Sequence, residues 1–247
     1  MRVDGAVYSS RAMIADVISG GGLDQVANVA TLPGIVGASL GMPDIHWGYG
    51  FCIGGVAATD ISAGGVVSPG GVGYDINCGV RLLRTDLART DVVKRVEALA
   101  AWLFRDVPCG VGVGGPYKFD AKDVRHILAE GSGFLERKGL ASAEDVELTE
   151  SAGRLDGADP DAVSDQAIKR GDDQCGTLGS GNHFAEIQYV QKVLDAEAAE
   201  VFGLAEGMVA VMVHSGSRGL GYQVCEDYLR MLRNCPARYG IELPDRQ

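Results

Sequence analysis

The sequence is short of histidine, proline and positive charge, and it contains no long apolar run. Four histidines and 8 prolines stand in 247 residues, and 33 acidic side chains outnumber 22 basic ones, so the formal net charge is −11. This charge argues against a surface that holds nucleic acid by bulk electrostatics, although it leaves room for a local basic or metal-lined groove. No run of about 18 apolar residues occurs, and the N-terminus MRVDGAVYSS lacks a signal-peptide core. We therefore expect a soluble, cytoplasmic protein without a membrane segment.

Cysteine and glycine exclude two further classes of protein. The cysteines are too scattered for a disulfide scaffold, so we interpret them as thiols of a reducing compartment, one or more of which could bind a metal. They stand at positions 52, 78, 109, 175, 225 and 235. Glycine is abundant, with 36 residues, about twice its average share. The glycines follow no three-residue period, which excludes collagen. Pairs such as Gly54-Gly55 and Gly70-Gly71 predict tight turns between strands.

The pattern of apolar residues predicts an α+β fold, because helices and strands alternate without a clean βαβ rhythm. Residues 41–84 are β-rich and interrupted by glycine, and further strands are predicted at 183–190 and 208–213. Helices are predicted at 91–104 with Asp91 as N-cap, at 121–130 between Asp120 and Gly131, at 194–202 ending at Gly203, and at about 221–233.

One segment is unlike its surroundings. Residues at about 139–170 are acidic and contain Asp-Gly and Asp-Pro breaks. We interpret them as a helix followed by a mobile surface segment. We expect no internal domain boundary in residues 1–247.

Four residues in glycine-rich turns are candidate metal ligands. Asp75 and Cys78 lie in GGVGYDINCGV, His183 lies in GTLGSGNHF and His214 lies in VMVHSGSRGLG. A carboxylate, a thiolate and two imidazoles form a mixed ligand set for a divalent transition metal. Asp75 and Cys78 can reach one ion only if the chain turns between them, because residues three apart on a strand face opposite sides.

Each of these motifs also has a plain structural interpretation. Asp75 and Cys78 would equally suit a polar turn with a buried thiol, and His183 could be satisfied by the backbone at a strand end. If His183 binds a metal, Asn182 and Glu186 could bond to a ligand of the site while Phe184 packs on it. Strict alternation would then place metal and ligand on opposite sides of the strand, so we expect an irregular strand start.

The turn after His214 has the features of an anion site. An apolar strand, the run Ser-Gly-Ser-Arg-Gly and a helix N-terminus follow one another, and the helix presents free N–H groups there. Arg218 adds a guanidinium suited to phosphate. Asp44 could orient His46 or a metal ligand, although a capped turn with a satisfied histidine explains His46 at least as well. His126, in a predicted helix, is interpreted as solvated or locally paired.

Several uninterrupted strings resemble the RtcB family of RNA-splicing ligases. They are LPGIVGASLGMPDIHWGYGFCIGGVAATD, SPGGVGYDINCGVRLLRT, GTLGSGNHFAEIQ and VMVHSGSRGLGYQV, and the similarity runs nearly from Met1 to Gln247. The resemblance implies mixed sheets with flanking helices around a central metal site. It implies an enzyme that joins an RNA 2′,3′-cyclic phosphate or 3′-phosphate end to a 5′-hydroxyl end in tRNA splicing or RNA repair. The family uses GTP, two manganese ions and a guanylated-histidine intermediate, and an Archease protein assists turnover.

The resemblance also implies roles for individual residues. Asp75, Cys78 and His183 match ligands of one manganese ion, and Cys78 bridges to a second ion that His214 also binds. The run Asn182-His183-Phe184-Ala185-Glu186 matches the guanylate-contacting segment. Arg218 matches a contact for an RNA or nucleotide phosphate, and Asp44 matches an acidic position close to the site.

The sequence departs from the family pattern in two places. It stops at YGIELPDRQ, within a pattern that family members continue, and none of its four histidines matches the guanylate acceptor. Cys52 stands where FPIGG is the commoner form. Two hypotheses follow. The chain is the N-terminal portion of an RNA ligase, inactive alone or completed by a separate C-terminal portion, or it is a metal- and nucleotide-binding module or metallo-phosphoesterase without ligase activity.

Overall fold

The computed structural model describes residues 1–244 and contains both helices and strands, as the predicted α+β class requires. The strands are β1 Asp4–Val7, β2 Ile35–His46, β3 Ile53–Thr59, β4 Gly79–Ala88, β5 Phe184–Tyr189 and β6 Met208–Ser215. The helices are α1 Ile14–Ser19, α2 Gly22–Val29, α3 Pro69–Val72, α4 Arg89–Val92, α5 Val96–Asp106, α6 Ala121–Glu130, α7 Ser132–Arg137, α8 Ala143–Glu147, α9 Asp165–Gly171, α10 Ala196–Phe202, α11 Arg218–Leu232 and α12 Cys235–Tyr239. Within residues 1–244, none of the helices has the length and apolar character needed to cross a bilayer.

The chain divides into two compact units. The first comprises Met1–Tyr74 and Cys225–Gln247, and the second comprises Asp75–Val224. Each unit contains a three-stranded sheet of its own.

The first unit is built around the sheet β1-β2-β3. β1 runs parallel to β2, and β2 runs antiparallel to β3. Helix α2 lies against this sheet and buries Val26 together with Ile45 and Cys52. Gln25 of the same helix is fully buried, and its side-chain amide both donates to and accepts from the backbone of Gly48. This pair of bonds satisfies the polar groups of the buried Gln25 side chain.

The second unit is built around the antiparallel sheet β4-β6-β5, in which β6 is central. Its best-packed core lies among the helices, where Phe119, Val124, Phe134 and Ile168 form one buried cluster. Helix α6 matches the prediction: the Asp120 side chain accepts the N–H of Asp123 at its start, and the helix ends before Gly131. The expected helix that ends at Gly203 and the two expected strands are also present.

Two predicted helices need correction. The helix expected at 91–104 is broken into α4, a 3-10 turn at Val93–Arg95 and α5, because β-branched valines crowd the turn and Arg95 leaves helical geometry. Asp91 therefore is not the N-cap; its carboxylate accepts the N–H of Ala88 instead. Helix α11 begins at Arg218, three residues before the expected start, and the N–H of Gly219 is satisfied by the side chain of Gln174.

The acidic segment 139–170 contains more regular structure than expected. It holds α8, the 3-10 turns Glu150–Gly153 and Pro160–Ala162, and then α9. Ser142 and Ser164 cap α8 and α9 through their hydroxyls. The sequence pattern predicts one helix in this segment and not the second, because Asp-Gly and Asp-Pro steps obscure the serine caps.

Candidate metal centre

The sheet β4-β6-β5 brings three of the four candidate ligands to one end of the second unit. His214 lies on β6, opposite Val80 of β4 and opposite Phe184 of β5. Cys78 precedes β4 and His183 directly precedes β5. Because neighbouring strands lie about 4.8 Å apart, the order of the strands alone places these side chains within reach of one another.

The ligand atoms of Cys78, His183 and His214 face a common point. The Sγ atom of Cys78 lies 3.1 Å from Nε2 of His214 and 3.3 Å from Nε2 of His183. The three ligand atoms lie within 4.8 Å of one another. Two atoms bound to one ion at about 2.1–2.3 Å lie about 3.1–3.6 Å apart, so this spacing suits shared coordination.

Asp75 joins the group through a turn. Asn77 adopts the left-handed conformation, with φ at 60°, and the N–H of Cys78 donates to the carbonyl of Asp75. This is the turn that residues three apart needed in order to approach one ion. Oδ2 of Asp75 lies 2.6 Å from Nε2 of His183, whereas Oδ1 is buried and has no hydrogen-bond partner within residues 1–244. A buried carboxylate oxygen without a donor suits a bound cation.

The charges of this group also favour a cation. Burial, the hydrogen bond with Asp75 and the negative charge of Asp75 raise the pKa of the Cys78 thiol to about 12. A divalent ion reverses this preference, because it stabilises the thiolate and the carboxylate together. The donor set of one sulfur, two imidazole nitrogens and one carboxylate oxygen therefore fits a transition metal, and we treat it as a candidate metal centre.

Arg218 is fixed beside His183 by two hydrogen bonds. Its Nε donates to Oγ1 of Thr177 at 3.1 Å, and a terminal nitrogen donates to the carbonyl of Gly110 at 2.7 Å. Its backbone is in the left-handed region, with φ at 54°, which costs an arginine conformational energy. A β-carbon on Gly179 would meet both Nδ1 of His183 and the other terminal nitrogen of Arg218, so the two side chains share one recess.

Sequence reasoning missed the residues that hold Arg218. Thr177 is buried and lies in the GTLGSGNHF string that had drawn attention to His183, so its position was a usable signal. Gly110 contributes only a backbone carbonyl, which no side-chain pattern can reveal.

The remaining candidates of the second unit surround the histidines. The ring of Phe184 packs edge to face against His214, with centroids 5.3 Å apart. Asn182 and Glu186 are exposed, and Ala185 is partly buried opposite Val213. β5 begins after His183, so His183 lies outside the strand alternation, as the expected irregular start requires.

The remaining candidates lie on other elements. Asp44 and His46 belong to β2 of the first unit, where Nδ1 of His46 lies 2.8 Å from the backbone carbonyl of Asp44. The ring of His46 is thus satisfied locally, as expected, but at the end of a strand and not in the expected turn. His126 lies on α6 and pairs with Glu130 at 2.8 Å, which confirms the expected local pairing.

Comparison with known proteins gives a consistent result. The family model described as tRNA-splicing ligase RtcB matches residues 25–247. The chain is 51% identical over 247 residues to the tRNA-splicing ligase RtcB of Thermococcus kodakarensis. This match covers 100% of the chain and 51% of that protein. It is 53% identical over 225 residues to the RNA-splicing ligase RtcB of Mycobacterium tuberculosis. This second match covers 90% of the chain and 52% of that protein. The chain thus spans about half the length of the curated relatives that it matches.

Proposed function

Because the chain belongs to the RtcB family, we propose that it is the N-terminal portion of a GTP- and manganese-dependent RNA ligase. The complete enzyme would join RNA 2′,3′-cyclic phosphate or 3′-phosphate ends to 5′-hydroxyl ends, as in tRNA splicing or RNA repair. The natural substrate would be tRNA halves or broken RNA, and an Archease-like activator is a proposed partner. The observation that carries the proposal is the convergence of Cys78, His183 and His214 on one point in a member of this family.

We assign the metal ligands as follows. Asp75, Cys78 and His183 would hold one manganese ion, and Cys78 would bridge to a second ion that His214 also holds. Such ions supply positive charge that polarises phosphoryl oxygens. The protein contributes the geometry: three strands fix the spacing of the donors, and the turn at Asn77 brings Asp75 beside Cys78.

The surrounding residues would bind the two substrates. Arg218, held by Thr177 and Gly110, would orient a phosphate of RNA or nucleotide beside the metal ligands. The segment Asn182-His183-Phe184-Ala185-Glu186 would contact the guanylate, and Asp44 is proposed as an acidic residue near the site. Asn182 and Glu186 are exposed to solvent, which suits residues that meet a ligand.

The covalent step of the proposed reaction needs a histidine that this chain does not supply. The family resemblance implies a guanylated histidine, and none of the chain's four histidines corresponds to it. The chain alone should therefore form no covalent GMP adduct. Incubation with labelled GTP and manganese, followed by a denaturing gel, tests this, and a labelled band that survives alkali but not acid would contradict it.

Ligation itself requires the longer protein. We would join this chain to the second half of the Thermococcus kodakarensis relative and supply RNA with a 2′,3′-cyclic phosphate and a 5′-hydroxyl end. We expect GTP-dependent joining, and Cys78→Ala should lower the rate at least about 100-fold. His126→Ala is the matched control, because His126 pairs with Glu130 on α6. Opening of the cyclic phosphate without joining would instead favour the metallo-phosphoesterase, which the net charge of −11 makes the second candidate.

A further inference from the structure

Strand β4 carries exposed apolar side chains on both of its faces, alongside the charged residues Arg81, Arg84 and Asp86. Nine of its ten residues are exposed. Leu82 and Leu83 are neighbours and so point to opposite faces, yet they remain 47% and 52% exposed. A strand with large apolar residues on both faces is typical of a strand covered on both sides. Within the described residues, Thr149 and Gly203 contact the arginines of β4, but the two leucines stay about half exposed.

The outer edge of β4 is open as well. Within the described chain, β4 pairs with β6 on one side and has no strand on the other. An open edge strand presents unpaired N–H and C=O groups that can pair with another strand. Additional polypeptide would cover both the open edge and the two exposed faces of β4.

Helix α5 also exposes large apolar side chains. None of its residues is buried, although it carries Trp102 and Phe104, and Phe104 is 86% exposed. Helices α6 and α9 of the same unit behave differently, since they bury Val124 and Ile168 in a shared cluster. Only Leu99 and Leu103 of α5 are partly buried, so its own unit covers little of the apolar surface of this helix.

We infer that Val80, Leu82 and Leu83 of β4, here called the docking surface, receive the C-terminal half of a full-length family member, and that the same half also covers Trp102 and Phe104 of α5. This inference rests on the proposal that the chain is the N-terminal portion of a longer enzyme. The curated relatives carry about as much polypeptide again as the part that this chain matches. A second copy of this chain fits less well, because edge-to-edge pairing of two β4 strands would cover the edge and leave both faces open.

The docking surface adjoins the candidate metal centre. Cys78 is exposed and directly precedes β4, and Val80 lies opposite His214. A strand added to β4 would lie about 4.8 Å from it and thus about 10 Å from the strand of His214. The docked half would therefore shield Cys78 and close the open side of the site.

Hydrogen exchange tests this inference without metal or GTP, so its outcome is independent of the proposed ligase activity. We would compare this chain with the chimera that carries the second half of the Thermococcus kodakarensis relative. We expect the amides of β4 to exchange at least about tenfold more slowly in the chimera. The amides of α6, packed in both proteins, serve as the internal control. Equal exchange of β4 in the two proteins, with α6 protected in both, would overturn the inference.

A substitution gives a second test that needs only thermal unfolding. Leu83→Asp should shift the Tm of the chain alone by no more than about 2 °C and lower that of the chimera by roughly 10 °C. Leu140→Asp is the matched control, because Leu140 is comparably exposed at 42% and follows α7. A large loss of Tm in the chain alone would show that β4 is already packed and would contradict the inference. Protection of β4 that grows with concentration of the chain alone would assign the surface to a second copy and also overturn it.

Discussion

Gly216 lies directly against the carboxylate of Asp75, and a β-carbon at position 216 would overlap that carboxylate. Glycine is thus the residue that allows Asp75 to reach His183. We predict that Gly216→Ala displaces the carboxylate and weakens manganese binding by about tenfold or more. Isothermal titration with manganese measures the change. Gly133→Ala is the control, since a β-carbon there meets no atom within 4 Å. Unchanged affinity in Gly216→Ala would remove Asp75 from the ligand set.

The thiol of Cys78 should be unreactive when no metal is bound. Its pKa is raised to about 12, so at pH 8 the group stays protonated, and the reactive thiolate increases as the pH rises towards 12. We expect iodoacetamide to label Cys78 about 50-fold more slowly than free cysteine at pH 8, because the lower thiolate fraction is partly offset by greater nucleophilicity. Peptide mass spectrometry of EDTA-treated protein measures the rate. Labelling as fast as free cysteine would show that burial and Asp75 do not suppress the thiolate.

Thr177 should support the binding of RNA ends by holding Arg218 in place. Its hydroxyl accepts from Arg218 and donates to the carbonyl of Gln174. In the chimera, Thr177→Val keeps the shape of the side chain but removes both bonds, and we expect the KM for RNA ends to rise about tenfold. Thr177→Ser retains the hydroxyl and should restore the original KM. If valine and serine give the same KM, Arg218 does not depend on this anchor.

Gln25 should stabilise the first unit through Gly48. Leucine has a volume similar to that of glutamine, but Gln25→Leu leaves the partly buried N–H and C=O of Gly48 without their partners, so we expect a loss of about 2 kcal/mol in the free energy of unfolding. Urea unfolding measures it. Asn28→Ala on the same helix should cost less, because Asn28 is only partly buried. Equal losses in the two variants would argue against a special contribution from the Gln25 bonds.

The local signals in the sequence were reliable where one short segment determines the structure. Asp120 and Gly131 mark the ends of α6 because a cap acts on the nearest turn. The break between α4 and α5 was missed because the apolar pattern continues through it, while backbone crowding at the valines decides the geometry.

The convergence of the candidate site could not be derived from spacing. Cys78 and His214 stand 136 residues apart, and only the order β4-β6-β5 makes them neighbours. The sequence identified the residue types and their turns, and the family resemblance grouped them. The anchors of Arg218 depend on a loop carbonyl and a buried hydroxyl, so they became visible only with the fold in place.

The central claim is that Asp75, Cys78, His183 and His214 form one metal centre. Manganese titration followed by electron paramagnetic resonance tests this claim most directly. Free Mn²⁺ gives a sharp six-line signal that is lost on binding. We predict that the chain removes manganese from the free pool, and that Cys78→Ala and His214→Ala each weaken binding about tenfold or more, whereas His126→Ala leaves it unchanged. Equal loss of the free signal with all four proteins would contradict the account.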